Sequence, residues 1–223
     1  MPVRRPPPSP RRRGTLTQRT LATVLAAALA TLAAVPPSAA FEASGTAAAI
    51  DGDTLAIGDL HVRLFGIDAP ELGQRCELAD GKAWRCGVAA RDRLAELVDG
   101  KTVACAGTEY DDTGRLIAEC TASGIEVGGR LVDEGLAWAF IRYSGLFVER
   151  EEAARAARLG IWKGLSTPPW DYRAARWQVA AQEAPNGCAI KGNIAASGEH
   201  IYHPPWSPWY DRTNVRPDRG ERW

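Results

Sequence analysis

The chain has 223 residues, of which 45% are hydrophobic and 24% charged, a composition typical of a globular domain with short extensions. The formal net charge is +0, but residues 1–40 contain six of the 27 basic residues and no acidic one, which leaves 21 basic against 27 acidic residues in the remainder. This acidic balance excludes a bulk basic field that would attract nucleic acid, so any polyanion must be bound by locally placed arginine or lysine, or through a cation.

Residues 1–40 have the pattern of a secretory signal peptide. A basic segment with a twin arginine precedes the alanine- and leucine-rich run Leu21–Val35, and the small residues Ser38 and Ala40 follow at the positions that signal peptidase reads. The alternative is a membrane anchor, but a span needs roughly 20 apolar residues and this run is short and rich in alanine. We therefore predict cleavage after Ala40, export to the periplasm or extracellular space by the general or the twin-arginine route, and no stable membrane span.

The next stretch, residues 46–71, predicts short strands that end in charged residues. The segments Asp51-Gly52-Asp53 and Gly58-Asp59 are turn signals, because glycine permits positive φ and aspartate hydrogen-bonds to its own backbone. We therefore assign Asp51 to the turn rather than to a ligand role. Pro70 ends the last run, since proline lacks the N–H that a sheet ladder needs. Strands are predicted at residues 46–50, 54–57 and 61–67.

The elements beyond residue 71 favour a small β-barrel with helices. Helical spacing of apolar residues, with glycines as stops, predicts helices at residues 84–98, 126–134 and 147–159. Further strands are predicted at residues 101–106, 115–121 and 136–141. Most connections are too short to be helical crossovers, which argues against a parallel α/β sheet.

A change of composition at Ser166 divides the mature chain. Residues 41–165 hold the predicted barrel. Residues 166–184 are predicted to form a proline-marked linker, with helical character from Tyr172 to Gln182. Residues 185–223, rich in Trp, Tyr, Pro and Gly, are predicted to form a small irregular module.

Because an exported protein enters an oxidising compartment, its five cysteines are candidates for disulfide bonds. Cys76 and Cys86 are near each other and can staple one loop, whereas Cys105 and Cys120 lie in apolar runs separated by a turn and can face each other across paired strands. Cys188 is left over. Zinc is the alternative, but the chain has no Cys-x-x-Cys and its histidines are remote in sequence, so disulfides are favoured.

Three carboxylates and two arginines form a candidate site for phosphodiester hydrolysis. Asp53 and Asp68 at strand ends are suitable ligands for a hard cation, and Glu71, held off that cation, is suited to activate water. Arg63 offers a planar fork that fits a phosphate, and Arg115 follows a tight turn that fixes its start. Together these groups can stabilise the charge that grows when water attacks phosphorus.

Four stretches carry a resemblance to a known family: IDGDT, RLFGIDAPE, DDTGR and LVDEGLAWAFIRY. In this order and spacing, residues 45–163 resemble the staphylococcal-nuclease-like (thermonuclease) family, in an exported bacterial branch. The resemblance implies a five-stranded OB-fold barrel with about three helices. It also implies a Ca²⁺-dependent endonuclease that hydrolyses DNA and RNA and leaves 3′-phosphate ends. We expect the protein to be a monomer.

The resemblance assigns roles to individual residues. They are the metal ligands Asp53, Asp68 and the carbonyl of Ala69, the general base Glu71, the phosphate-binding Arg63 and Arg115, and the nucleotide-pocket residue Tyr143. A second pocket tyrosine and the surrounding lysines of the founding enzyme have no match here. The tail resembles a small module found in exported nuclease-like proteins, for which envelope targeting is one hypothesis. The competing hypothesis for the whole chain is an inactive barrel that binds nucleic acid or protein.

Overall fold

A computed structural model describes residues 41–223, except for the side chains of Thr108 and Asn186; the predicted signal peptide lies outside the described residues. The strands are β1 (Phe41–Ala49), β2 (Thr54–Ile57), β3 (Leu60–Leu64), β4 (Ile67–Asp68), β5 (Cys76–Glu77), β6 (Ala83–Trp84), β7 (Thr102–Tyr110), β8 (Leu116–Ala122), β9 (Ile125–Glu126), β10 (Trp138–Ala139), β11 (Lys191–Ile194) and β12 (His200–His203). The helices are α1 (Cys86–Val98), α2 (Val127–Asp133), α3 (Val148–Ala156) and α4 (Pro169–Glu183).

Five strands close into the predicted barrel. They are hydrogen-bonded in the order β3-β2-β1-β7-β8, and the parallel pairing of β3 with β8 completes the ring. The turn between β2 and β3 contains Gly58 at φ 59°, the left-handed conformation that favours glycine. This is the OB-fold barrel expected from the sequence, here with four helices among the described residues.

The core lies inside the barrel and beneath α1 and α2. Leu55, Val62 and Leu64 point into it from the β2–β3 hairpin, and Leu94 and Val98 of α1 cover one end. These side chains are at most 2% exposed. Burying a side chain of this size contributes roughly 1.5–3 kcal/mol, so this core fixes where the charged strand ends lie.

Both predicted disulfides are present. Cys105 and Cys120 are direct partners in the β7–β8 register and are bonded across it. Cys76 is bonded to Cys86, which ties β5 to the first residue of α1. Cys188 has a free, exposed thiol.

The predicted strand at residues 136–141 is wrong for most of its length. Only Trp138 and Ala139 pair, with Asp68 and Ile67 of β4, and this bridge lies outside the barrel sheet. Residues 137–139 are all buried. A strand with one buried face would alternate, so the apolar run reflects continuous burial of irregular chain.

The residues assigned to a linker form α4 over most of their length. Trp170 in its first turn stacks on Phe140, with ring centroids 5.6 Å apart and 20° between the planes. Trp170 also meets Trp138 edge-on at 6.4 Å. The helix is therefore packed against the barrel domain.

The C-terminal residues form a small hairpin, β11–β12, with irregular chain around it. Tyr210 and Ala189 pack on Ala180 of α4, which joins the hairpin region to the helix. Arg216 and the buried Glu221 form an ion pair at 3.1 Å within it. In residues 41–223, no helix is both long and apolar enough to cross a bilayer.

Candidate active site

The two predicted ligand carboxylates lie side by side. Asp53 immediately precedes β2, and its Oδ1 and Oδ2 accept hydrogen bonds from Thr54 Oγ1 at 3.0 Å and Ala69 N at 3.1 Å. Asp68, the last residue of β4, is completely buried. The bond to Ala69 N thus joins the two strand ends.

Arg63 lies between these carboxylates. It is the direct register partner of Thr54 in the β2–β3 hairpin. Its Nη2 is 3.3 Å from Asp68 Oδ1 and 3.8 Å from Asp53 Oδ2, so one guanidinium faces both acids.

Arg115 is held by the turn that precedes β8. Asp111 Oδ1 accepts the backbone N–H of Arg115 at 3.0 Å, and Asp111 Oδ2 accepts its Nε–H at 2.8 Å. Arg115 Nη1 also donates to Thr54 Oγ1 at 3.2 Å. The side chain is therefore fixed at both ends of its guanidinium.

Glu71 is positioned by a buried glutamine that the sequence did not single out. Gln74 is 1% exposed; its Oε1 accepts the Glu71 N–H at 3.1 Å, and its Nε2 donates to the Thr167 carbonyl at 2.7 Å. Gly87 of α1 packs directly on the Glu71 carbonyl, where a β-carbon would not fit. The loop that carries Glu71 is thus held from two sides.

These groups surround one cavity of about 220 Å³. Its lining includes Arg63, Glu71 and Arg115 together with Asp53 and Ala69. Asp68 does not line the cavity but accepts a hydrogen bond from the cavity-lining Arg63. The structure thus brings together six of the seven residues to which a site role was assigned.

The seventh, Tyr143, lies beside an adjoining cavity of about 370 Å³. Tyr143 is 65% exposed, and its ring is tilted against Phe140 at a centroid distance of 5.0 Å. Arg63 borders both cavities. Tyr143 is therefore outside the charged centre but next to it.

Two further residues reach the charged cavity from beyond the barrel: Arg173 of α4 and Trp206 of the C-terminal region. Arg173 Nη1 and Nη2 bind Asp68 Oδ1 and Oδ2 at 3.0 and 2.7 Å, and Nη1 also binds Glu71 Oε1 at 2.7 Å. The sequence contains one indication of this contact. Trp170 and Arg173 are three residues apart, which puts both on one face of a helix.

The acidic groups differ in their affinity for protons. Burial raises the pKa of Glu71 to about 7, and burial together with the charge of Asp53 raises the pKa of Asp51 to about 7. Burial also raises the pKa of Asp68. At Asp53 the Arg63 charge and hydrogen bonds outweigh burial, so the pKa of Asp53 lies below its ordinary value. A carboxylate with a pKa near 7 is well matched to general base catalysis at neutral pH.

Asp51 lines the cavity but also holds the turn. Its Oδ1 accepts the backbone N–H of Asp53 at 3.1 Å, the local bond expected of an aspartate in a turn. This bond fixes the backbone from which Asp53 projects. The contact agrees with the turn role assigned from the sequence.

The donor set suits a hard cation only in part. Within residues 41–223, no cluster of three or more His, Cys, Asp or Glu side chains is arranged to hold a metal ion. Asp53 and Asp68 nevertheless offer two buried carboxylates that already share one positive charge, Arg63. With the carbonyl of Ala69, they form the all-oxygen set that Ca²⁺ prefers.

Comparison with known proteins adds independent findings. A family model described as staphylococcal nuclease homologue matches residues 61–164. The succinoglycan biosynthesis protein ExoI of Rhizobium meliloti is 34% identical over 159 residues, which cover 70% of this chain and 82% of that protein. A probable staphylococcal-like nuclease of rice, CAN2, is 32% identical over 51% of this chain. An uncharacterized endonuclease of Haemophilus influenzae is 30% identical over 50% of it.

The extent of these matches differs. The chain spans 29% of the rice protein and 61% of the Haemophilus protein, less than two thirds of either. All three relatives are at least 30% identical where they align.

Proposed function

The chain belongs to the staphylococcal nuclease homologue family, and from this membership and the geometry of its site we propose that it is a Ca²⁺-dependent, sugar-nonspecific endonuclease. The observation that carries the proposal is the convergence of Arg63, Glu71 and Arg115 with Asp53 around one cavity. A barrel that only bound a partner would not need a general base in the same cavity as two arginines.

Glu71 is the proposed general base. Its carboxylate takes a proton from water as the water oxygen bonds to phosphorus. The bond from phosphorus to the 5′ oxygen breaks, and the departing oxygen takes up a proton from solvent. The Glu71 pKa of about 7 keeps a useful fraction of the carboxylate ionised at neutral pH. The contacts of Gln74 and Gly87 to the Glu71 backbone orient that carboxylate before substrate arrives.

Arg63 and Arg115 are the proposed phosphate ligands. They lie in the same cavity as Glu71 and carry a fixed positive charge at neutral pH. Their N–H groups donate to the non-bridging oxygens, whose charge increases as phosphorus becomes five-coordinate. Asp111 and Thr54 fix Arg115 for this role.

The proposed Ca²⁺ ligands are Asp53, Asp68 and the carbonyl of Ala69. The ion, when bound, supplies a double positive charge that offsets the charge of the phosphate. Buried Asp68 and nearly buried Asp53 favour such an ion because each carboxylate lacks full hydration. Nucleic acid as substrate and 3′-phosphate ends as product follow from the family resemblance.

Export is proposed as well. Two disulfides tie the barrel domain, and disulfides persist in oxidising compartments. The basic, then apolar, residues 1–40 provide a signal peptide for that route.

The test compares plasmid hydrolysis by the parent, Glu71→Gln and Glu152→Gln proteins. Circular DNA reports endonuclease action, and parallel reactions with Ca²⁺ or a chelator report the ion requirement. We expect Glu71→Gln to lose roughly 100-fold or more of the activity, since general base catalysis contributes about 10²–10⁴-fold. Glu152 is on the exposed face of α3, so Glu152→Gln is the matched control.

Two results would contradict the proposal. Equal digestion by Glu71→Gln and the parent in Ca²⁺ would remove Glu71 from the chemistry. No hydrolysis of DNA or RNA by the parent, with retained binding, would favour the inactive binding barrel instead. Sensitivity of the product ends to a 3′-phosphatase tests the cleavage position.

A further inference from the structure

Arg173 neutralises the carboxylates on which the proposed metal and base chemistry depends. Its two terminal nitrogens engage both oxygens of Asp68, and one of them also engages Glu71, at 2.7 to 3.0 Å. Asp68 is 0% exposed and receives Arg63 as well. Asp68 has therefore given both oxygens to guanidinium groups.

The charges of the site explain why a cation and this arrangement compete. Four carboxylates, Asp51, Asp53, Asp68 and Glu71, meet the guanidiniums of three arginines, Arg63, Arg115 and Arg173. With all groups ionised, one negative charge remains. A divalent cation added to this set would make the buried site positive, whereas exchange of Arg173 for the cation leaves it neutral. Burial penalises unbalanced charge, so exchange is favoured over addition.

The alternative role for Arg173 is that of a third phosphate-binding arginine. That role needs N–H groups free to meet phosphate oxygens. Three charge-assisted hydrogen bonds already join its terminal nitrogens to Asp68 and Glu71. The contacts thus favour competition with a cation over contact with substrate.

We propose that Arg173 is a built-in counter-cation of Asp68 and Glu71, and that a divalent cation enters the site by displacing its guanidinium group. This inference rests on the proposed Ca²⁺-dependent function. If Arg173 competes with the cation, α4 contributes to the affinity of the site for the ion although it lies after the barrel.

The surroundings provide a place for the displaced side chain. Arg173 also borders the adjoining cavity of about 370 Å³, whose lining includes the acidic residues Glu109, Asp111 and Asp112. The helix itself is anchored by the stacking of Trp170 on Phe140. The exchange is therefore a rotation of the Arg173 side chain and does not require α4 to detach.

The test measures Ca²⁺ binding by calorimetry in the absence of substrate, for the parent, Arg173→Gln and Arg176→Gln proteins. Arg176 is the matched control, because it lies on the same helix but binds the Pro205 carbonyl and Asp211. Arg173 makes three charge-assisted bonds to the carboxylates, so loss of this competitor should tighten Ca²⁺ binding of Arg173→Gln at least tenfold. Arg176→Gln should bind as the parent does.

Thermal unfolding gives a second readout. Arg173→Gln removes one of the two arginine partners of buried Asp68 and the arginine partner of Glu71. Without Ca²⁺ its Tm should therefore fall below that of the parent, and Ca²⁺ should raise it by more. If Arg173→Gln does not fold, Arg173→Lys keeps the charge without the fork and should bind Ca²⁺ with intermediate affinity.

The outcomes separate this inference from the proposed function. Unchanged or weaker Ca²⁺ affinity of Arg173→Gln overturns the inference, as does absence of binding in parent and variant alike. Unchanged affinity with a large loss of turnover at saturating Ca²⁺ also overturns it, because it assigns Arg173 to the substrate. Tighter binding in a parent that hydrolyses no nucleic acid supports the counter-cation and refutes the nuclease.

Discussion

Replacing Gly87 by alanine should reduce activity while the fold is retained. Gly87 is the second residue of α1, and alanine in a helix interior is normally more stable than glycine by about 1 kcal/mol. Here, a β-carbon would overlap the carbonyl group of Glu71 and lie 3.0 Å from Leu72 Cα. Both contacts are backbone, so the loop that carries Glu71 must move.

The magnitudes follow from this overlap. Overpacking costs about 1–3 kcal/mol, and the helix gain offsets at most about 1 kcal/mol, so the free energy of unfolding should fall by roughly 0–3 kcal/mol. A displacement of about 1 Å of a catalytic group can cost roughly 100-fold in rate. We therefore expect kcat of Gly87→Ala to fall by roughly 10- to 100-fold, with the fold retained.

Urea unfolding and plasmid hydrolysis measure the two quantities. Gly145→Ala is the control, since a β-carbon there meets no atom within 4 Å. If Gly87→Ala proved more stable than the parent and equally active, the close contact between α1 and Glu71 would not constrain the site. Such a result would refute the argument that Gly87 positions the base.

Three further predictions concern β7, β8 and the turn between them. Asp111→Asn keeps an oxygen for the turn but loses the carboxylate that binds the Arg115 guanidinium. Transition-state stabilisation by Arg115 should then fall by about 1.5–3 kcal/mol, which lowers activity roughly 10- to 100-fold. Asp112 is exposed, and Asp112→Asn should leave activity unchanged. Burial raises the pKa of Asp111, but hydrogen bonds outweigh it and lower the pKa to about 2. The parent should therefore lose the contribution of ionised Asp111 to the free energy of unfolding as the pH falls from about 4 to about 2. Urea unfolding should show no such loss from this position in Asp111→Asn. Replacing Cys105 and Cys120 together by serine should lower the free energy of unfolding by about 2–4 kcal/mol, measured as a lower Tm.

Specific results would contradict these predictions. Equal activities of Asp111→Asn and Asp112→Asn would show that the carboxylate does not position Arg115. An equal loss of stability between pH 4 and pH 2 in Asp111→Asn and the parent would assign that loss to other groups. An unchanged Tm in the double serine protein would show that the β7–β8 pairing alone holds those strands.

The parts of the fold that depend on neighbouring residues could be predicted from the sequence. The β2–β3 hairpin follows from Gly58-Asp59 between two apolar runs, and its turn glycine has the expected positive φ. The pairing of Cys105 with Cys120 follows from two strands joined by a turn, because a hairpin register sets partners opposite each other. In both cases the information lies within about twenty residues of chain.

Contacts between distant segments could not be predicted in this way. Residues 136–141 have the composition of a strand, but their backbone partners are set by where β4 ends, so only two residues pair. Gln74 reads as a polar loop residue; its role depends on Thr167, which the fold brings to it. Burial of a polar side chain is a property of the assembled structure, and composition alone does not reveal it.

Arg173 shows that a functional site can extend beyond the residues that match a family. The family match ends at residue 164, while Arg173 lies beyond it on α4 and still binds both Asp68 and Glu71. A protein cut at the end of the match would keep Arg63 and Arg115 but would hold four carboxylates against two arginines. With all groups ionised, its site would then carry two negative charges instead of one, and mutual repulsion would raise the proton affinity of each acid. The roles of the barrel residues can therefore be inferred from a relative only if charged residues outside the barrel, such as Arg173, are included in the charge of the site.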